Sequence, residues 1–334
     1  MGSVKDLEIL TTAQENKMGI GRFHFSDRYS VFDWGEMPDH IPHKGAALCI
    51  LTAYFFELLE KEGIETHYRG IVENDQVKKL DELEKPASIL EVDMVQVLEP
   101  QYKNGSYDYS LYKQKLDNCL IPLEIIYRNT LPKHSSFRRR AEQGEIDISD
   151  YGLDEMPEVG ESLEKPIFDV STKLESSDRY ISWKEAKEIA GLSDKEYEKT
   201  INLLSKVNDI ITKEVAKAGL KNLDGKIELA FDTQRNIMVV DDVGTPDECR
   251  FAYDGFSISK EAARKFYRNS QWYQEVSQAK KEEGPNWRDT VNTKPEKLPE
   301  EILNMVSNLY KACANEITGR EWFPNTPSFE QLKK

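Results

Sequence analysis

The stretch Lys226–Arg250, KIELAFDTQRNIMVVDDVGTPDECR, constrains the fold more than any other part of this 334-residue chain. Lys226, Glu228, Ala230 and Asp232 alternate with Ile227, Leu229 and Phe231, the period-two pattern of a half-buried strand. A polar turn, Thr233–Asn236, and a second β-rich run, Ile237–Val240, complete a hairpin that ends in Asp241-Asp242. A four-residue turn sets Glu228 opposite Asp241, whereas a five-residue turn brings Asp242 onto the face of Glu228. Like charges that meet across a ladder repel. A bound cation reverses that cost, because Mg²⁺ at nucleotide sites takes one or two carboxylates together with phosphate oxygens. The competing reading is a solvated hairpin with acids at its end, and the surrounding residues decide between the two.

A hydrophobic content of 39% supports a sizeable core, and the length accommodates two lobes. The net charge of −15, from 60 acids against 45 bases, argues against broad binding to nucleic acid or anionic membranes. It leaves anionic small substrates open, since local cations override net charge inside a cleft. Cys49, Cys119, Cys249 and Cys313 are scattered without CxxC spacing, as expected of reduced cytosolic thiols rather than disulfides or a zinc site. His40 and His43 flank Pro42 and read as loop residues. No apolar run reaches membrane-spanning length and no signal segment is seen, so the expectation is a soluble, cytoplasmic protein.

Periodicity predicts strands at Gly21–Phe25, His67–Val72, Ser88–Val97 and Pro122–Arg128, with Ser26–Asp33 a polar turn. Lys44–Glu62 reads as a helix closed by Gly63. Tyr102–Asp117, rich in tyrosine, reads as the connection between lobes, its tyrosines packing rather than stacking on a ligand. Tyr151–Pro166 reads as an acidic loop. Helices follow at Ser182–Ala190, with Ser182 and Glu185 as a capping box, at Ser193–Ala218, at Ser259–Glu283 and at Pro299–Ile317. Strands and helices without regular βαβ alternation indicate an α+β fold.

Arg128, Ser135, Ser136, Arg138, Arg139, Arg140 and Arg250 form the clearest anion-binding set, because guanidinium groups fork onto phosphate or carboxylate oxygens. Arg139 and Arg140 taken singly read as solvated. Arg128 directly follows an apolar strand and needs a defined anionic partner. Lys17 with Gly19-Ile20-Gly21 is either a phosphate nest or a turn before a strand. Lys173 is either a phosphate contact or a surface lysine. P-loop, dinucleotide, serine-hydrolase, zinc-protease and kinase signatures are absent.

Together these segments resemble the SAICAR synthetase family (phosphoribosylaminoimidazole-succinocarboxamide synthases of purine biosynthesis). The resemblance runs through FSDRYSVFD (25–33), IPHKG (41–45), IPLEIIYRN (121–129), PIFDVSTKLE (166–175), KIELAF (226–231), VVDDVGTPDECRF (239–251) and ITGRE (317–321), and the N-terminal wording looks like the archaeal branch. It implies a two-lobed ATP-binding α+β fold of antiparallel sheets and helices, ATP-grasp- or kinase-like in style. Residues 1–120 would form a β-rich nucleotide-binding lobe and 121–334 a larger lobe with the metal and substrate site. The implied activity joins CAIR (carboxyaminoimidazole ribotide) to L-aspartate with ATP, giving SAICAR, ADP and phosphate through an acyl phosphate.

By the same resemblance Glu228 and Asp241 hold Mg²⁺, with Asp242 a further metal candidate in place of the family's usual glutamate. Lys226 and Lys173 neutralise ATP phosphates, and Lys17 belongs to the candidate glycine loop NKMGIG. Lys226, Glu228 and Asp241 are the expected catalytic set. Arg128, Arg250 and a serine of the 135–136 pair match positions that grip the CAIR phosphate. Ser30, Asp33 and Asp247 match polar positions around the substrates, and Asp178 the aspartate side. Two alternatives stand beside the ligase: an ATP-dependent small-molecule kinase and a catalytically idle nucleotide binder. Neither a nucleic acid nor a membrane is an expected partner, and a homo-oligomer is left open.

Overall fold

A computed structural model of the chain describes residues 4–103, 105–133, 135–282 and 284–333, with only the backbone of 284–286. Asn104, His134 and Glu283, which fall in the expected lobe connection, basic loop and 259–283 helix, lie outside the described residues. The elements, in chain order, are β1 (Lys5–Thr11), β2 (Gly19–Phe25), α1 (Lys44–Lys61), β3 (Tyr68–Glu73), β4 (Gln76–Lys78), β5 (Ile89–Met94), β6 (Gln101–Lys103) and β7 (Ser106–Asp108). Next come β8 (Cys119–Thr130), α2 (Ser136–Glu142), β9 (Ser162–Thr172), α3 (Trp183–Ile189), α4 (Asp194–Lys217), β10 (Leu220–Phe231), β11 (Ile237–Val240), β12 (Cys249–Tyr253) and β13 (Phe256–Ile258). Four helices close the chain: α5 (Glu261–Arg268), α6 (Gln271–Glu282), α7 (Glu300–Thr318) and α8 (Phe329–Leu332).

Two large antiparallel sheets and a separate two-stranded β6-β7 hairpin result. The first has strand order β1-β2-β5-β3-β4, and the second β13-β12-β10-β8-β9 with β11 also paired to β10. Isolated bridges Thr66–Val239 and Gln96–Cys119 join them. The Ile125, Tyr127, Ile227 and Leu229 face of the second sheet shares one core with Leu204, Val207 and Ile211 of α4, with the buried side of α1, and with Leu309 and Cys313 of α7. Among the described residues no helix is long and apolar enough to cross a membrane. All four cysteines are buried and free.

The helix ends follow local chemistry. Ser193 accepts the amide of Glu196 while the Glu196 carboxylate takes the Ser193 amide, a full capping box that starts α4. Ser193→Ala is expected to lower stability by about 1 kcal/mol in urea unfolding without changing turnover. Gly63 and Gly219, at φ 73° and 72°, take the left-handed positions that close α1 and α4. Ser182 caps α3 through the Glu185 amide.

Several expectations change. The single helix 259–283 is two helices, broken where Ser270 accepts the Tyr273 amide and its own hydroxyl bonds Tyr267 O, a local alternative to continuing the ladder. The basic run Arg138–Arg140 is not loop but α2, started by Ser135, whose Oγ accepts the Arg138 amide. β9 begins at Ser162, inside the stretch read as loop, and β1 occupies the polar start. Gly19 and Gly21 lie within β2 rather than in a nest. A Cβ on Gly19 would stand 2.2 Å from the Thr11 carbonyl oxygen, so the glycines permit close strand crossing.

Candidate active site

The hairpin register places the acids. Glu228 pairs with Val240 and Phe231 with Ile237, which leaves Asp232–Asn236 as a five-residue turn. Glu228 is therefore not opposite Asp241. Its like-charged neighbour across the ladder is Glu124 of β8. β11 and β12 run along the same edge of β10, Val240 opposite Glu228 and Cys249 opposite Gly225. The eight residues Asp241–Glu248 must bulge out against only Lys226 and Ile227. That excursion carries Asp241, Asp242, Asp247 and Glu248 out beside this edge of β10. Asp241 takes φ 72°, with its carbonyl oxygen 3.4 Å from His67 Nε2.

Lysines thread the carboxylates. Lys173 Nζ lies 2.6 Å from Glu228 and 3.1 Å from Glu124, and Lys226 Nζ lies 2.8 Å from Glu124 and 3.2 Å from Glu248. Lys5 of β1 reaches Asp241 at 2.6 Å and Asp242 at 3.7 Å. Burial, and then the Asp241 charge, pushes the Glu228 carboxyl up to about 7. Burial also drives Asp242 well above its ordinary value. For Asp241 burial works the same way, yet Lys5 and Lys173 hold it well below. Burial would lift Glu124 too, but Lys226 and Lys173 keep it low. These acids raise both lysines despite their burial, so both stay charged.

At the other end of the same face lies an arginine cluster. Arg128, only 2% exposed, donates to Asp169 at 2.9 Å and to Ser136 Oγ at 3.0 Å. The anionic partner its position demanded is thus within the fold. Asp169 is shared with Arg140, which is buried rather than solvated. Ser135 spends its hydroxyl on capping α2. Arg250, 42% exposed at its side chain, pairs with Asp224 at 2.9 Å. Arg128, Lys226, Asp247, Glu248 and Arg250 line one cleft of about 610 Å³. Lys260, the cap residue of α5, and Arg264 and Arg268 on it, spaced by four, add a stripe of cations to its wall.

The remaining expected residues spread out. Asp247 is held by Lys44 at 3.0 Å, Lys260 at 3.2 Å and the Tyr310 hydroxyl, and these cations keep its carboxyl well below the usual range against burial. Asp178 sits on the exposed turn after β9. Although the residue as a whole is exposed, partial desolvation of the carboxyl itself, and then the Glu124 charge, push it up to about 6. Ser30 accepts the Gly35 amide, and Asp33 is exposed and paired with Lys280. Lys17 is exposed in the turn before β2, where its backbone pairs with Gln14. Sequence reading missed Glu124, Glu248, Lys5 and Tyr180. A glutamate inside the apolar run IPLEIIY was a usable signal for Glu124, whereas Lys5 had none.

Beyond Glu228 the face turns apolar. Leu120, Ala230, Met238 and Val240 form a patch with Met18, Val95 and Leu174 packed on it. One continuous face therefore runs from an apolar floor, through lysine-threaded carboxylates, to guanidinium groups.

This α+β architecture is that of the SAICAR synthases. The solved SAICAR synthase of Saccharomyces cerevisiae, complexed with SAICAR, aligns with a TM-score of 0.65 at 23% identity, covering 96% of this chain and 94% of that one. The SAICAR synthetase family model matches residues 5–282, and the chain belongs to that family. A chain of Archaeoglobus fulgidus is 57% identical over 99% of this chain and 97% of its own length. The phosphoribosylaminoimidazole-succinocarboxamide synthase of Thermoplasma volcanium is 34% identical, over 90% and 93%.

Proposed function

We propose that this protein condenses CAIR with L-aspartate at the expense of ATP, producing SAICAR, ADP and phosphate. The observation that carries the reading is the ordered face of β8, β10 and β11. Its apolar patch suits a nucleobase, its lysine–carboxylate cluster suits a metal-bound triphosphate, and its arginines suit a ribose phosphate. We place the lobe boundary at residue 120, so that ATP lies between the two sheets.

The residues fit Mg²⁺ in one respect that matters. Glu228 and Asp241 repel each other, and buried Asp242 Oδ1 has no hydrogen-bond partner. Among the described residues no three carboxylate, imidazole or thiolate groups converge into a ready cage. That agrees with a metal held by one or two carboxylates plus phosphate oxygens. Glu228 and Asp241 would hold it, and it would supply charge neutralisation at the β- and γ-phosphates. Asp242 supports Asp241 from the same turn. Lys5 rather than Lys17 is the N-terminal cation at this cluster, beside Lys173 and Lys226.

The chemistry then needs positioning and electrostatics and no protein nucleophile. A carboxylate oxygen of CAIR attacks the γ-phosphorus, and ADP leaves. The aspartate amine attacks the acyl carbon, the C–O bond to phosphate breaks, and the amine sheds a proton. Arg128 and Arg250 anchor the ribotide phosphate, with Ser136 bonded to Arg128. The α5 stripe of Lys260, Arg264 and Arg268 offers cations to the carboxylates of L-aspartate. Asp178, ionised at neutral pH, faces its amine. We take the cytoplasm as its workplace, in keeping with four free thiols.

The test is ADP release with ATP, Mg²⁺ and CAIR, with and without L-aspartate. Turnover that requires aspartate and yields SAICAR by mass spectrometry is expected. A stable phosphorylated product formed without aspartate would mean a kinase, and nucleotide binding without turnover an idle binder.

A further inference from the structure

A second cavity, of about 750 Å³, lies behind the catalytic cleft and is given no part in the reaction. It falls within the roughly 300–1,000 Å³ range of small-molecule sites. Tyr151, Phe168, Tyr180, Trp183 and Tyr197 line it, so flat surfaces are available for stacking. Arg140 also lines it. That residue is 4% exposed, its guanidinium held by Asp169 under the Tyr180 ring. Three carboxylates, Glu145, Asp147 and Asp150, belong to the same lining, beside Glu185, which Arg179 pairs at 2.7 Å. Against one guanidinium already paired with Asp169, they repel phosphate and accept hydrogen bonds from amino and hydroxyl groups.

The cavity is tied to the cleft by shared groups. Tyr180 lines both spaces. Its ring centroid is 4.1 Å from the Arg140 guanidinium carbon and 5.9 Å from that of Arg128. Asp169 accepts from both arginines at once. An occupant that draws on Arg140 or displaces Tyr180 therefore alters what Arg128 meets.

We propose that this cavity is a regulatory site for an uncharged, amino-bearing planar heterocycle of the nucleoside class, coupled to the cleft through Arg140, Asp169 and Arg128. The ring stacks between tyrosine and tryptophan, and its amino group and the sugar hydroxyls meet the acidic rim. The coupling rests on the proposed role of Arg128, but the binding does not.

Adenosine titrated into the full chain saturated with Mg²⁺ and ADP is the test, read by calorimetry and by tryptophan fluorescence. Expected is one saturable site, a quench that Trp183→Phe removes, and binding of AMP weaker by at least about tenfold. Ile201→Trp, which fills the cavity, abolishes binding, and Asp150→Lys on the exposed rim erases the discrimination against AMP. No saturation up to the solubility limit, competition by ADP, or AMP binding as tightly as adenosine would overturn the site. Should Ile201→Trp not fold, an unchanged AMP preference in Asp150→Lys does the same. In the ligase assay adenosine raises KM for CAIR and leaves kcat unchanged in the parent chain but not in Ile201→Trp. An unchanged KM alongside intact binding would refute the coupling alone, and absence of any ligase turnover would leave the binding result standing.

Discussion

Glu228→Gln and Asp241→Asn are each expected to lower turnover by at least about 100-fold while the fold survives, the scale seen when one preorganised electrostatic contact to a developing charge is lost. Both acids stand where the proposed metal and triphosphate meet, and neither amide replaces the lost negative charge. The two variants are expected to separate in stability. Glu228 is held up to about 7 by burial and by Asp241, above the ordinary value of about 4.3 for a free glutamate. Its ionisation therefore costs the fold nothing below about pH 4, and costs progressively more until the pH passes about 7. Glu228→Gln removes that strain, so its melting temperature should exceed that of the parent chain at pH 8 and match it near pH 4. Asp241 runs the other way. Lys5 and Lys173 hold its carboxyl low, so its charge stabilises the fold at neutral pH, and Asp241→Asn should melt lower there. Thermal scans at the two pH values, run beside the ADP-release assay, check all of this. Near-normal turnover in both variants would remove these acids from the metal site.

Arg128→Met should raise KM for CAIR by at least about 100-fold and destabilise the chain by about 3–5 kcal/mol, the cost of stranding one member of a buried ion pair. Asp169 sits at 1% exposure, and without Arg128 its ion pairing would depend on Arg140 alone, the Val170 amide being its neutral partner. Arg128→Lys is not expected to rescue either loss, because the guanidinium serves Asp169 and Ser136 in different directions and an ammonium lacks that planar fork. Arg250→Met is the control. Its partner Asp224 is buried, but the Arg250 side chain is 42% exposed, so it should weaken CAIR binding with a much smaller change in urea midpoint. If Arg128→Met lost stability but kept its KM, Arg128 would be a purely structural residue.

Much of this protein was legible before any coordinates. The alternation in Lys226–Phe231 marked a strand, the apolar runs before Arg128 and over Lys44–Lys61 marked buried elements, and the spacing of Asp194–Lys217 marked a helix whose burial repeats with its own backbone period. The half-buried reading of Lys226–Phe231 did not hold, since Glu228 and Ala230 are buried along with Ile227 and Leu229. Ser193, Ser182, Gly63 and Gly219 marked helix ends because capping uses neighbouring backbone groups. The α5–α6 break was harder to see, since Ser270 diverts only a turn of backbone while the apolar spacing continues around it.

What sequence alone determined was the chemical inventory: acids at the end of a hairpin, an arginine leaving a buried strand, and no serine-hydrolase or kinase signature. The tertiary structure decided the partners. Glu228 faces Glu124 instead of Asp241, because a five-residue turn and an eight-residue excursion set the register. Arg128 finds Asp169, Lys226 finds Glu124 from 102 residues away, and Lys5 reaches Asp241 from the far end of the chain. Such pairings depend on which strands lie side by side, and a local pattern carries no record of a contact that only chain closure creates.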